Sequence, residues 1–204
     1  MADVLNPPAP TRQPRQPRRS TVDAYLRAEE KSLTKHEYYN GFIKQMPGAK
    51  LPHNLLATRV GKLIDNFVED NDLPFLVSNS DTKIRIEAFN HIVYPDAVVI
   101  CEQPIYYQNR QDIITNPLIV VEVLSKATEK FDRAGKFDYY RSLPSFQEYV
   151  LVSQERKHVS VQTRQPDATW LLRDYHGEDA TALLYALHQC PLPINRLYRG
   201  LAIG

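Results

Sequence analysis

The nine residues Pro117-Leu118-Ile119-Val120-Val121-Glu122-Val123-Leu124-Ser125 limit most tightly what this chain can become. Seven of the nine are apolar, and the run is rich in β-branched side chains with a single carboxylate, Glu122, near its centre. A segment apolar on both faces is a central strand covered on both sides, not a half-wet edge. A carboxylate buried there is costly unless a cation, a metal or a set of donors compensates it. The stretch Val93-Tyr94-Pro95-Asp96-Ala97-Val98-Val99-Ile100-Cys101 repeats the device with Asp96. Two acids on neighbouring core strands point to a site.

The rest of the chain supplies the setting. Its 204 residues are enough for one domain with a substantial core. No apolar run approaches the roughly 20 residues of a membrane helix, and no secretory signal is recognisable. Two cysteines, Cys101 and Cys190, argue for a reducing, cytoplasmic setting and against a disulfide scaffold. A formal net charge of +1 makes no general demand for nucleic acid, so any such binding rests on a local patch. Segment 1–20 stands apart, with five prolines, four arginines and one acid. With almost nothing to bury, it reads as a flexible basic arm ahead of a single domain, 21–204. An arm of that kind is a solvated tail or a grip on a phosphate backbone.

In chain order, Ser20 or Thr21 caps a short helix through Val22, Tyr25 and Leu26 to about Lys31. Asn40-Gly41 between aromatic and apolar residues signals a tight hairpin, because a type I′ turn needs positive φ at both positions. Leu55, Leu56, Val60, Leu63, Ile64, Phe67 and Val68 recur at helical spacing, giving a long helix from Pro52 to about Asp70. Strands are expected at 75–78, 83–86, 93–101, 118–124, 148–152, 158–163 and 170–175. Thr128 is the expected cap of a helix to about Ser142, which Pro144 stops, and a small docking helix falls within 194–201. The class is α/β, a mixed central sheet flanked by helices.

On the helix after the central strand, Asp132, Lys136, Tyr139, Tyr140 and Leu143 share one stripe, with Lys130, Arg133, Phe137 and Arg141 opposite. Leu143 and the tyrosines belong inward, which turns Lys136 toward the sheet and toward Asp96 or Glu122 as its partner. Buried carboxylates beside a lysine suit a divalent metal: acid oxygens and water hold the ion, and the lysine orients or deprotonates the attacking water.

These motifs together resemble the Uma-two family, endonucleases of the PD-(D/E)XK superfamily. The resemblance is carried by Tyr94-Pro95-Asp96 before an apolar strand, Val121-Glu122-Val123-Leu124-Ser125, Asp132-x-x-x-Lys136-x-x-x-Tyr140, Ser142-Leu143-Pro144-Ser145 and Glu148-Tyr149-Val150-Leu151-Val152. Glu37 before the Asn40-Gly41 turn and Pro52-His53-Asn54 at the start of the long helix match as well, and the likeness spans roughly 21–200. It implies a restriction-endonuclease-like fold and Mg²⁺-dependent hydrolysis of phosphodiester bonds, with Mn²⁺ able to substitute and DNA as the expected substrate. It further implies Asp96 and Glu122 as metal carboxylates, Glu37 as a further acid of the site, and Lys136 positioning the attacking water. The superfamily lysine stands two residues after the glutamate, where this chain has Leu124. Lys136 takes its place in preference to Lys126, which lies just past the strand end.

Weaker candidates surround this core. His53, Ser125 and Gln154 are possible accessory residues, each with a plainer role in helix packing, strand termination or a surface turn. Tyr139 and Tyr140 read as core packing. His158, His176 and His188 show no ligand-like spacing, so no zinc site is expected, and no phosphate-binding glycine loop or Gly-x-Ser-x-Gly elbow occurs. The competing account keeps the fold without chemistry: a nucleic-acid-binding or protein-interaction module whose acids are locked by Lys136. Cutting both strands of a duplex would favour a symmetric homodimer, although no interface is legible.

Overall fold

The structure, a computed structural model, describes residues 19–126 and 129–203. Helix α1 (Val22–Glu29) starts where the Thr21 hydroxyl accepts from the Ala24 amide, and it buries Tyr25 and Leu26. Strands β1 (His36–Tyr39) and β2 (Phe42–Gln45) form the expected hairpin. Asn40 and Gly41 both take positive φ, 45° and 99°, as a type I′ turn requires. A side chain at position 41 would also strike Arg19, because a Cβ there would stand 2.8 Å from that residue's own Cβ.

Helix α2 (Leu51–Asp70) is the long helix, burying Leu56, Val60, Ile64 and Val68 along one stripe. After it come β3 (Phe75–Asn79), β4 (Lys83–Ile86), β5 (His91–Val93), β6 (Ala97–Cys101) and the short β7 (Ile113–Ile114). The central strand β8 (Pro117–Leu124) follows. A π-helical stretch, Phe131–Lys136, then runs directly into α3 (Phe137–Tyr140). Strands β9 (Glu148–Ser153), β10 (His158–Arg164) and β11 (Trp170–His176), the hairpin β12 (Thr181–Leu184) and β13 (Cys190–Pro193), and α4 (Ile194–Leu197) close the chain.

The strands divide between two large sheets. One is six-stranded in the order β11-β10-β9-β8-β6-β3, mixed, with β8 parallel to β9 and antiparallel to β6. The other is five-stranded, β2-β1-β5-β4-β7. The stretch 93–101, expected as one strand, is therefore two. Its first residue, Val93, ends β5 in the smaller sheet, the chain bends at Tyr94-Pro95-Asp96, and β6 joins the larger one. Pro95 has no amide hydrogen to give a ladder, which suits it to the crossing point.

Strand β8 is covered on both faces. Ile119, Val121 and Val123 pack beneath α2, the β12–β13 hairpin and α4. Val120 and Leu124 face the opposite core, built with Ile84, Ile86, Tyr140 and Phe146. Glu122 shares the phase of Val120 and Leu124, so its carboxylate enters the space between the two sheets and the helix after β8.

That helix differs from expectation in two respects. The widened turn at Phe131–Lys136 carries no sequence signal, and the expected cap, Thr128, lies outside the described residues. Phe137, placed outward by the stripe, instead packs parallel to Tyr149 with centroids 5.8 Å apart and edge-on to Trp170 at 5.0 Å. The sheet continues past β9 into β10 and β11, so the helix has neighbours on a second flank. No helix among the described residues is long and apolar enough to cross a membrane.

Candidate active site

The bend between β5 and β6 places Asp96 beside the central strand. Its amide donates to the Val121 carbonyl at 3.1 Å, and its Oδ2 accepts from the Val123 amide at 2.7 Å. The two acids are therefore held on adjacent strands by backbone geometry. The same Oδ2 lies 3.3 Å from His53 Nε2, which α2 supplies from its first turn. Burial works against a charge on His53, but the Asp96 carboxylate, as hydrogen-bond partner and as charge, lifts its pKa above the usual histidine value.

Lys136 does turn inward, to partners only half foreseen. Its Nζ donates to Glu122 Oε1 at 3.1 Å and lies 3.4 Å from Glu37 Oε1 and 3.5 Å from Asp132 Oδ1. Among the described residues it makes no ion pair with Asp96, whose partner is His53. Tyr140 donates a second hydrogen bond to Glu122 Oε1 at 3.0 Å, and Tyr39 donates to Glu37 Oε2 at 2.7 Å. All four charged groups around Lys136 Nζ, the lysine included, are less than a tenth exposed.

Three carboxylates, Glu37, Glu122 and Asp132, thus surround one ammonium, and a fourth, Asp96, stands beside them with His53 as its partner. Burial, only partly offset by Lys136 and reinforced by the other three acids, pushes the Glu122 carboxyl well above the usual range. Burial opposes the Lys136 charge, yet Glu122, Glu37 and Asp132 hold it well above the ordinary lysine value. That shift favours Lys136 in its ammonium form. The surplus of negative charge is the feature a hard divalent cation would relieve, and oxygen donors are the ligands such an ion takes.

A cleft of about 1310 Å³ opens over these groups. Its floor includes Glu37, Asp96, Glu122 and Lys136, and its walls include Ser125 and Gln154. Lys35, Lys44, Lys50, Lys62 and Lys126 also line it, with Asp65 and Glu155 among them, so lysines outnumber acids away from the floor. Lys126 is 84% exposed and pairs with Glu155 at 3.2 Å, as a residue just past a strand end should. A smaller pocket of about 320 Å³ near Arg164 and Arg173 contains none of these groups. Sequence alone leaves Asp132 without a role and gives Tyr140 only to packing. The spacing of Asp132, Lys136 and Tyr140 on one stripe is the signal that could have found them.

A different trio gathers elsewhere. His158, Asp174 and His176 bring one donor atom each within 4.8 Å of one another, the group of that kind found among the described residues. The spacing of His158, His176 and His188 in the sequence is not ligand-like, but the fold brings the first two together with Asp174. The two histidines are 18 apart in sequence but directly opposite in the β10–β11 ladder.

Three comparisons place this architecture among known proteins. A solved structure titled as that of a putative nuclease belonging to DUF820, from Anabaena variabilis ATCC 29413, superposes with a TM-score of 0.71. It is 17% identical and covers 88% of this chain and 97% of its own, so the two share a restriction-endonuclease-like fold. An uncharacterized protein of Synechocystis sp. (strain ATCC 27184 / PCC 6803 / Kazusa) is 35% identical over 180 residues, 88% of this chain and 92% of that one. A second from the same organism is 35% identical over 160 residues, 78% of this chain and 89% of its own. The family described as "Uma2: Putative restriction endonuclease" matches residues 22–194. With its fold and nearly its whole length accounted for, the chain belongs to the Uma2 family.

Proposed function

We propose that this protein is a divalent-metal-dependent nuclease that hydrolyses phosphodiester bonds of DNA. The observation that supports the reading best is the charge imbalance on the cleft floor: four carboxylates, one lysine and lysine-lined walls. Asp96 and Glu122 hold Mg²⁺, for which Mn²⁺ can substitute, and Glu37 completes the acidic set. The ion, when bound, supplies Lewis-acid stabilisation of the charge that grows on the phosphoryl oxygens and acidifies water. Everything else falls to the chain itself. Lys44, Lys50, Lys62 and Lys126 attract the phosphate backbone toward the floor. Lys136, kept charged by three carboxylates, donates hydrogen bonds that place the attacking water and steady the pentavalent phosphorus. The Val123 amide and His53 fix the Asp96 carboxylate, and Tyr140 fixes that of Glu122, so neither must reorganise during the reaction. Ser125 and Gln154 line the walls as accessory contacts.

One feature favours a second reading. Lys136 Nζ already lies within 3.5 Å of three acids and could neutralise part of the cluster with no metal at all, as in a silent binding module. The two readings part in a cleavage assay. Supercoiled plasmid incubated with the protein should be nicked or linearised with Mg²⁺ or Mn²⁺ and left intact with a chelator. Single-stranded DNA and RNA run alongside define the substrate. Intact polymers under every metal condition would leave the binding module standing.

A further inference from the structure

We propose that His158, Asp174 and His176 form a second cation site, outside the cleft, for a late first-row transition metal such as Zn²⁺ or Ni²⁺. The register of the larger sheet creates it. His158 faces His176 across the β10–β11 ladder and Ser160 faces Asp174, so all four side chains stand on one face. The two imidazoles lie parallel, 1° apart in plane, with centroids separated by 4.2 Å. Asp174 Oδ1 accepts from His158 Nε2 and from Ser160 Oγ, both at 2.6 Å. Arg133 donates to that serine oxygen at 3.4 Å.

The arrangement favours a metal. The donor atoms lie within 4.8 Å of one another, and bonds of about 2.0–2.1 Å in a tetrahedron need donors roughly 3.4 Å apart. The parallel rings share no plane in which one ion meets both nitrogens, so ligation needs His176 to turn, and Asp174 and His176 are exposed on the edge strand β11, where that movement asks little of the fold. His158 is 3% exposed and is the costly ligand of the three, because ligation through the Nε2 that meets Asp174 puts the ring proton on Nδ1, which is buried with no hydrogen-bond partner among the described residues. Two imidazoles and one carboxylate select zinc, nickel or copper over magnesium, and the exposed side leaves a fourth position for water. Ser160, bonded to Asp174 and held by Arg133, is placed to orient the carboxylate ligand.

The cluster is not a hydrolytic triad. Ser160 Oγ, at 3.2 Å, and Asp174 Oδ1 both meet the same nitrogen of His158, whereas proton relay needs the serine and the acid on opposite nitrogens. Nor is it part of the cleft. Glu122 aligns with Leu151, Leu151 with Ser160, and Ser160 with Asp174, so three strand spacings, about 14 Å, separate the two carboxylates along one row.

The test is calorimetric titration of Zn²⁺ into the full chain, free of any polyhistidine tag, with Co²⁺ absorption reporting coordination geometry. Four proteins are compared: the parent, His176→Ala, Asp174→Asn, and Asp96→Asn combined with Glu122→Gln, each checked for fold by circular dichroism. The site predicts one Zn²⁺ per chain at this locus, tetrahedral Co²⁺ bands, and binding at least about 100-fold weaker in His176→Ala and Asp174→Asn. The cleft double variant should keep that binding. The proposal is overturned if the parent binds no Zn²⁺, if neither strand variant weakens binding, or if only the cleft variant does.

Discussion

Asp96→Asn is expected to abolish cleavage while leaving the fold in place. Asparagine keeps a side-chain oxygen that accepts the Val123 amide hydrogen, the 2.7 Å contact that joins the β5–β6 bend to the central strand. It removes the charge that a divalent ion requires and that lifts the His53 pKa. Loss of one preorganised electrostatic contact costs on the order of 10²–10³-fold in rate, and a charged ligand to the ion should reach or exceed the upper end. Urea midpoint and circular dichroism should stay close to those of the parent while plasmid nicking disappears. Cleavage at the parent rate by a folded Asp96→Asn protein would remove Asp96 from the reaction.

The second large effect is on stability. Lys136→Met retains the aliphatic stem of the side chain but leaves Glu37, Glu122 and Asp132 buried without their shared cation. Breaking a buried pair by removing one partner costs about 3–5 kcal/mol, because the uncompensated charge stays behind. The deficit should depend on pH in a definite direction. Glu122 already has a folded-state pKa above its ordinary value, so its contribution is fully present below that ordinary value and is lost as pH rises through the folded one. Without Lys136 the folded value climbs further and the loss deepens. Urea denaturation should therefore show a modest deficit near pH 5 and the full one near pH 8. Lys126→Ala, at an exposed ion pair, should move stability by no more than about 0.5 kcal/mol at either pH. Equal, pH-independent losses in the two variants would mean that Lys136 is not the counter-charge of the cluster.

The parts legible in the sequence were those set by local pattern. An apolar run with no alternation gave β8, and Asn40-Gly41 gave the first hairpin, because both depend only on neighbours in the chain. The stripe holding Asp132, Lys136 and Tyr140 gave the inward lysine even though the backbone there is π-helical; a spacing of four keeps residues on one face through a modestly widened turn. What remained hidden depended on pairing over distance. The chain changes sheets at Tyr94-Pro95-Asp96, and nothing in an apolar stretch says which sheet each half will join. The β12–β13 hairpin was not among the expected strands, and its Pro191 and Pro193 stand in a two-stranded ladder with no further neighbour, where a missing amide hydrogen is tolerated. Lys136 found Glu37 on β1, and His158 found His176, only through tertiary and cross-strand register that sequence spacing does not encode.

The central claim is that the two strand-borne carboxylates, Asp96 and Glu122, hold a divalent ion. Calorimetric titration of Mn²⁺ into the parent and into Glu122→Gln tests it most directly, with the His158 cluster removed by His176→Ala in both proteins. The account predicts saturable binding of Mn²⁺ where Glu122 is kept and its disappearance in the Glu122→Gln protein, with both proteins folded. Heats that match between the two, or no binding where Glu122 is kept even with duplex DNA present, would contradict it and make Glu37, Asp96, Glu122 and Lys136 a structural charge network.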